Sequence, residues 1–158
     1  MKIDQKEFRK ACGNFATGVT IVTTTSKAGE VQGMTVNGFM SVSLDPALIV
    51  VSIGKNQKMH DILKDSAVYG VSILSDTQTD VSNHFAGWPV ENLSIEFSVR
   101  SEIPYLKDNI AYFIAKVVNA IDAGDHTLFI GEVIQFERNE KAPLLYYQGG
   151  YRHLKGPC

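Results

Sequence analysis

Few side chains in this sequence are able to do chemistry, and their spacing excludes most of what they could do. His60, His84, His126 and His153 include no i, i+4 pair, so no metal site is expected and each reads as a surface or loop histidine. Cys12 falls in a run of helical periodicity and reads as a half-buried core residue, while Cys158 stands at the last position; two such cysteines form neither a disulfide framework nor a zinc site. No G-x-G-x-x-G, Walker A loop, H-E-x-x-H, C-x-x-C or G-x-S-x-G motif occurs, and Gly33, Gly38 and Gly54 are too scattered for a dinucleotide fingerprint. What remains is a row of small polar groups, Thr35, Asn37, Ser41 and Ser43, on alternate positions of one segment. Such a row can hydrogen-bond a flat polar ligand, or it can simply be the solvent face of a half-buried strand.

The elements that would position this row are mostly strands. Phe8, Ala11, Cys12 and Phe15 predict a short N-terminal helix with one apolar face, broken at Thr17-Gly18. Residues 19–25 are dense in β-branched side chains and read as a strand, with a turn over 27–30. Residues 35–44 alternate, with Val36, Met40, Val42 and Leu44 on the apolar face and Phe39 as the exception among the polar positions. Asp45-Pro46 turns the chain into a buried strand over 48–53. Helices are expected over 58–64 and 79–85, the second beginning near Ser75 or Asp76, with a strand over 69–74 between them. The stretch 88–109 is the least regular, and an excursion of that length tends to carry function. Strands over 111–121 and 127–136 follow, joined by Ala123-Gly124-Asp125. Six or more strands without regular β-helix-β alternation predict an antiparallel barrel rather than a doubly wound sheet.

Composition sets the outer bounds. With 158 residues, 44% apolar and 20% charged, the chain fits one globular domain over 1–158. Fifteen basic against seventeen acidic residues give a net charge of −2, so no general field attracts nucleic acid or anionic lipid. The charged start lacks an apolar signal region, and no later run approaches the ~20 apolar residues of a membrane span. A cytoplasmic protein with no nucleic-acid or membrane partner is expected.

Three groups of residues carry a resemblance. Phe15-Ala16-Thr17-Gly18-Val19 leads into Gly33-Met34-Thr35-Val36-Asn37-Gly38-Phe39 and Ser41-Val42-Ser43-Leu44-Asp45-Pro46; Ser82-Asn83-His84-Phe85-Ala86-Gly87 and Gly124-Asp125-His126-Thr127 follow; Pro143-Leu144-Leu145-Tyr146-Tyr147 and Gly150-Tyr151 close the series. In order and approximate spacing these resemble the flavin reductase family of the FMN-binding split barrel, from Phe8 to about Leu154. Gly38 stands where Ser or Ala is commoner, and Ala47 where a second proline is frequent.

The resemblance implies a mostly β, antiparallel split β-barrel of Greek-key type with a few short helices. It places the isoalloxazine ring of FMN or FAD against Met34, Thr35, Val36 and Asn37, with Ser41, Val42 and Ser43 close by. Gly33 and Gly38 would then let the backbone approach the cofactor. Ser52 and Ile53, with Lys55 and Lys58, would hold the flavin phosphate, and these lysines read equally as solvated loop residues. Asn83 and Phe85 would serve the distal part of the cofactor, and Phe85 suits the core equally. His126 would face the nicotinamide of NADH or NADPH, and Tyr151 would close that face or pack as a core aromatic. No residue is needed as catalytic acid or base. The implied activity is NAD(P)H-dependent flavin reduction by a homodimer that supplies a flavin-dependent monooxygenase; the alternative is an electron carrier that retains FMN and passes electrons to a protein partner.

Overall fold

A computed structural model describes residues 2–156; Cys158 lies outside them. The chain runs α1 (Gln5–Cys12), β1 (Thr17–Gly18), β2 (Thr20–Thr25), β3 (Val31–Val36), β4 (Phe39–Leu44), β5 (Ala47–Gly54), α2 (Lys58–Ser66), β6 (Val68–Ile73), α3 (Thr79–Phe85), β7 (Phe97–Arg100), β8 (Ile103–Leu106), β9 (Ala111–Ala123), β10 (His126–Arg138), β11 (Leu145–Tyr147) and β12 (Gly150–Arg152). It is mostly β and antiparallel, with three short helices, as expected. None of the helices is long and apolar enough to cross a membrane, among the described residues.

Seven strands pair in the order β3-β2-β6-β9-β10-β5-β4. The β-branched run Thr20–Thr25 makes β2, buried from Thr20 to Thr24 because neighbours cover both of its faces. Its period of two separates two cores: Val22 joins Val51, Ile53, Tyr69, Val71 and Phe129, whereas Ile21 joins Leu74, Leu106 and Leu144. The irregular stretch after Trp88 is built around the β7-β8 hairpin, and Ile95 and Phe97 cover the second core.

The edge strands β3 and β4 are consecutive in the chain. In a flat sheet they would lie roughly 29 Å apart, at ~4.8 Å per strand step. Asn37 and Gly38 alone connect them, a reach of about 11 Å at most. The sheet therefore curls until the end of β3 reaches the start of β4, but no ladder of hydrogen bonds closes it into a barrel. Residues 37–39 turn this corner, with Phe39 N–H donating to Asn37 O (2.9 Å) and Ser52 N–H to Gly38 O (2.8 Å).

Two expectations are corrected. The run 35–44 is not one strand but two, and Met40, Val42 and Leu44 on β4 are exposed, Leu44 at 95%, while Phe39 packs inward against the first core. The cause is the corner at 37–38 followed by a register shift between Ser41 and Ser43, which re-aim the edge strand. Helix α1 is capped by Asp4, whose carboxylate accepts from the N–H groups of Lys6 and Glu7, but it buries nothing: Cys12 is exposed rather than core, as are Phe8 and Phe15. The helix is tied down at its C-terminal end, where Gly13 O accepts from Gln148 N–H, and its apolar residues Phe8, Ala11 and Cys12 stay exposed.

Candidate active site

The seam between the β3 edge and the β5-α2 loop holds a groove of two adjoining hollows. One, of about 460 Å³, runs along Gly33, Met34 and Thr35 between Phe85, Tyr146 and Tyr151 on one side and Lys58, Met59 and Ile62 on the other. The second, of about 610 Å³, continues past Thr35–Gly38 to Ser52, Gly54–Gln57, Asp125 and His126, with Arg9 of α1 at its rim. Met34, Thr35, Asn37 and Gln57 line both.

The aromatic end is held by hydrogen bonds. Thr35 Oγ1 donates to Ser82 O (2.6 Å), tying β3 to α3, and Ser82 Oγ meets Tyr151 Oη at 2.8 Å. Tyr151 packs edge-on to Tyr146 at 5.6 Å. Phe85 lies directly over Gly33, where a Cβ would sit 2.5 Å from its Cε1 and 2.8 Å from its Cδ1. The glycine is thus needed for Phe85 to lie flat against the strand and form a wall of the groove. A Cβ on Gly38 would likewise meet Ser52 Cβ at 3.0 Å. The close approaches at both glycines are to side chains of the chain itself.

The far end is polar. His126 Nδ1 lies 2.8 Å from Asp125 Oδ1, and that hydrogen bond, with the imidazole's charge, holds the Asp125 carboxyl below the usual carboxylate range. An ionised carboxylate only accepts, so Nδ1 carries the donated proton, and Nε2 has no protein partner among the described residues. Lys55 Nζ lies 3.4 Å from Asp122 Oδ1. Lys58 and Arg9 have no hydrogen-bond or ion-pair partner for their side chains among the described residues.

A flat ring with a polar edge would fit this donor set. Edge strand β3 leaves one row of main-chain groups without a strand partner, apolar and aromatic side chains flank it, and unpaired cations stand nearby. Thr17 Oγ1, buried with no partner, lines an adjoining hollow with Asn37 and Phe39, so polar capacity is left over beside the corner.

Residues 12–155 match the family model described as Flavin reductase like domain. The chain belongs to the flavin reductase-like family. Among similar members, the NADH-dependent flavin reductase of Rhodococcus sp. is 44% identical over 149 residues, covering 93% of this chain and 85% of that protein. The reductase component of 4-hydroxyphenylacetate 3-monooxygenase from Thermus thermophilus is 34% identical over 155 residues, 97% of this chain and 99% of that one. The solved flavin reductase PheA2 superposes with a TM-score of 0.94 at 45% identity, covering 98% of this chain and 100% of that chain.

The groove of this flavin reductase-like chain brings together Met34, Thr35, Val36, Asn37, Ser52, Lys55, Lys58, Phe85, His126 and Tyr151 of the residues named from sequence. Ser41, Val42 and Ser43 lie on β4 and do not line either hollow. Ile53 is fully buried in the first core and lines neither hollow. Asn83 sits on α3 away from the lining, its carbonyl accepting from Ala86 and Trp88. Sequence reasoning missed Arg9, Gln57, Ser82 and Tyr146. Arg9 gave no signal beyond an ordinary polar helix position, whereas Ser82 and Tyr146 stood inside motifs already singled out.

Proposed function

We propose that this chain is an NADH-dependent flavin reductase that binds FMN or FAD in the seam groove and delivers reduced flavin to a separate flavin-dependent monooxygenase, in line with the names its relatives carry. The observation that carries the reading is the continuity of the groove, from the aromatic wall at Phe85 and Tyr151, past the main chain of residues 34–38, to His126. The bound flavin would supply the ring that accepts hydride. The protein's own part is to stack the nicotinamide against that ring, exclude water and offer main-chain N–H groups from residues 35–38 where negative charge gathers on reduction. Lys58, Lys55 and Arg9 are the cations available to phosphate. His126 presents an imidazole face and a free Nε2 to the nicotinamide without transferring a proton.

Replacing His126 by alanine is expected to raise the KM for NADH by roughly tenfold, the loss of about 1.4 kcal/mol of binding, with little change in flavin affinity. Steady-state kinetics set against flavin fluorescence titration separates the two; an unchanged KM removes His126 from the site. Purified protein that is nearly colourless fits a flavin released as product, whereas stoichiometric tightly held flavin favours the electron carrier.

A symmetric homodimer is the proposed assembly. Met40, Val42 and Leu44 on β4, Val118 and Ile121 on β9, Ile134 and Phe136 on β10, and Phe8 and Phe15 near the N-terminus are all exposed in the single chain. That much apolar side chain left uncovered marks an association surface. Light scattering at micromolar concentration should give twice the 17.4 kDa chain mass; a monomer would contradict it. A single domain over 1–158 and a cytoplasmic location complete the reading.

A further inference from the structure

His60 is the one histidine that the fold buries, and the groove does not use it directly. It sits on α2 with its ring edge-on to Phe129 at 5.7 Å, and its Nε2 lies 2.9 Å from Thr127 Oγ1. Thr127, also buried and next in sequence to His126, donates that hydroxyl's proton to Asp122 Oδ1 at 3.1 Å. A hydroxyl has one proton to give. Because Asp122 takes it, Thr127 can only accept from the imidazole, and His60 is fixed as the Nε2–H donor. The Nδ1 faces the exposed Asp61 carboxylate at 3.1 Å, a contact for which water competes.

The chain of contacts does not stop at Asp122. The same Oδ1 lies 3.4 Å from Lys55 Nζ, and Lys55 N–H donates to Asp125 O at 2.9 Å. Asp122 and Thr127 are directly paired across the tip of the β9-β10 hairpin, and Gly124 at the turn adopts φ 63°. A line of hydrogen bonds and one ion pair therefore runs from the core, through Thr127 and Asp122, to the Lys55, Asp125 and His126 end of the groove. Thr127 and Lys55 are also the causes that hold the Asp122 carboxyl below the usual carboxylate range, so it stays an acceptor for both.

We infer that His60 is a positioning residue for nicotinamide binding, acting through Thr127 and Asp122 to hold the hairpin tip that carries His126 and to fix Lys55 beside it. The inference rests on the proposed reading that this end of the groove receives the nicotinamide substrate. An exposed two-residue turn would otherwise sample many conformations, and each would have to be selected against when substrate binds.

Thr127→Val and Asp122→Ala are expected to raise the KM for NADH about fivefold, on the order of one hydrogen bond, with kcat and flavin affinity nearly unchanged. His60→Leu should do the same, and His60→Gln, whose amide can still donate to Thr127, should restore most of the loss. Asp122 is on the surface, so its variant tests the idea even if a buried change fails to fold. Two measurements on ligand-free protein are independent of turnover. Imidazole nitrogen NMR should show His60 protonated at Nε2, and hydrogen exchange should quicken at residues 122–127 in Thr127→Val. Wild-type KM in both Thr127→Val and Asp122→Ala, or an unprotonated Nε2, overturns the inference. His126→Ala separates the two failures: if it raises KM while these variants do not, only the role of His60 falls; if it has no effect, the reading of the groove falls, and hairpin exchange alone decides whether His60 holds the tip.

Discussion

A valine at Gly33 should weaken flavin binding by roughly tenfold or more while leaving the protein folded, because forcing a side chain into a filled site costs about 1–3 kcal/mol. The space a Cβ needs at this position is occupied by the Phe85 ring at 2.5 to 3.1 Å. The strand is an edge and cannot move away without breaking its pairing with β2, where Gly33 sits opposite Thr23. Phe85 must therefore swing away, and the open direction is the groove it lines. Its contact with Phe97, edge-on at 6.3 Å, is lost at the same time. A ligand then has to displace a ring that has nowhere to return. Adding Phe85→Ala to Gly33→Val should recover part of the binding, since the collision disappears with the ring. Fluorescence titration of flavin against wild type, both single variants and the double variant reads this coupling directly. Additive losses would mean that Phe85 and Gly33 act separately.

The second large effect concerns stability. Gly131 on β10 lies at a register shift, and a Cβ there would sit 2.5 Å from Tyr69 Oη and 2.8 Å from Ala115 Cβ. Tyr69 is fully buried, its hydroxyl donating to Phe129 O at 3.4 Å, and burial alone pushes its phenol well above the usual range. Gly131→Val therefore overpacks the first core for about 1–3 kcal/mol and strands a buried hydroxyl for a further ~1–3 kcal/mol. Against a typical stability of about 5–15 kcal/mol this is a substantial fraction of the whole. Chemical denaturation should show the midpoint falling sharply for valine and less for alanine. Tyr69→Phe in the alanine background should recover part of the loss by removing the nearest colliding atom. A midpoint unchanged in Gly131→Ala would show that the core has slack at this point.

Much of this was legible in the sequence for physical reasons. The β-branched run in β2, the apolar run in β5 and the Gly-Asp turn between β9 and β10 each carry local signals that tertiary packing reinforces. The corner at Asn37-Gly38 was not legible. Alternation continues through it, so the pattern hides a break that only the closing of the sheet requires. The exposure of Met40, Val42, Leu44 and Cys12 was hidden for a related reason: an apolar face reports that something must cover it, not that the same chain does. Among the residues that line the groove, those on β3 and in the Gly-Asp-His turn were legible through motifs. Arg9 was not, because its place in the groove depends on how α1 docks on the 148–149 turn, a long-range contact with no local trace. Gly33 and Gly38 are points of close approach within the chain itself, to Phe85 and Ser52.

Hydride transfer from NADH to flavin in the seam groove is tested most directly by the rate of NADH oxidation by purified protein as free FMN or FAD is raised. Turnover should saturate in free flavin and be suppressed in Gly33→Val. Flavin bound in the groove with no NADH oxidation at any flavin concentration would contradict it.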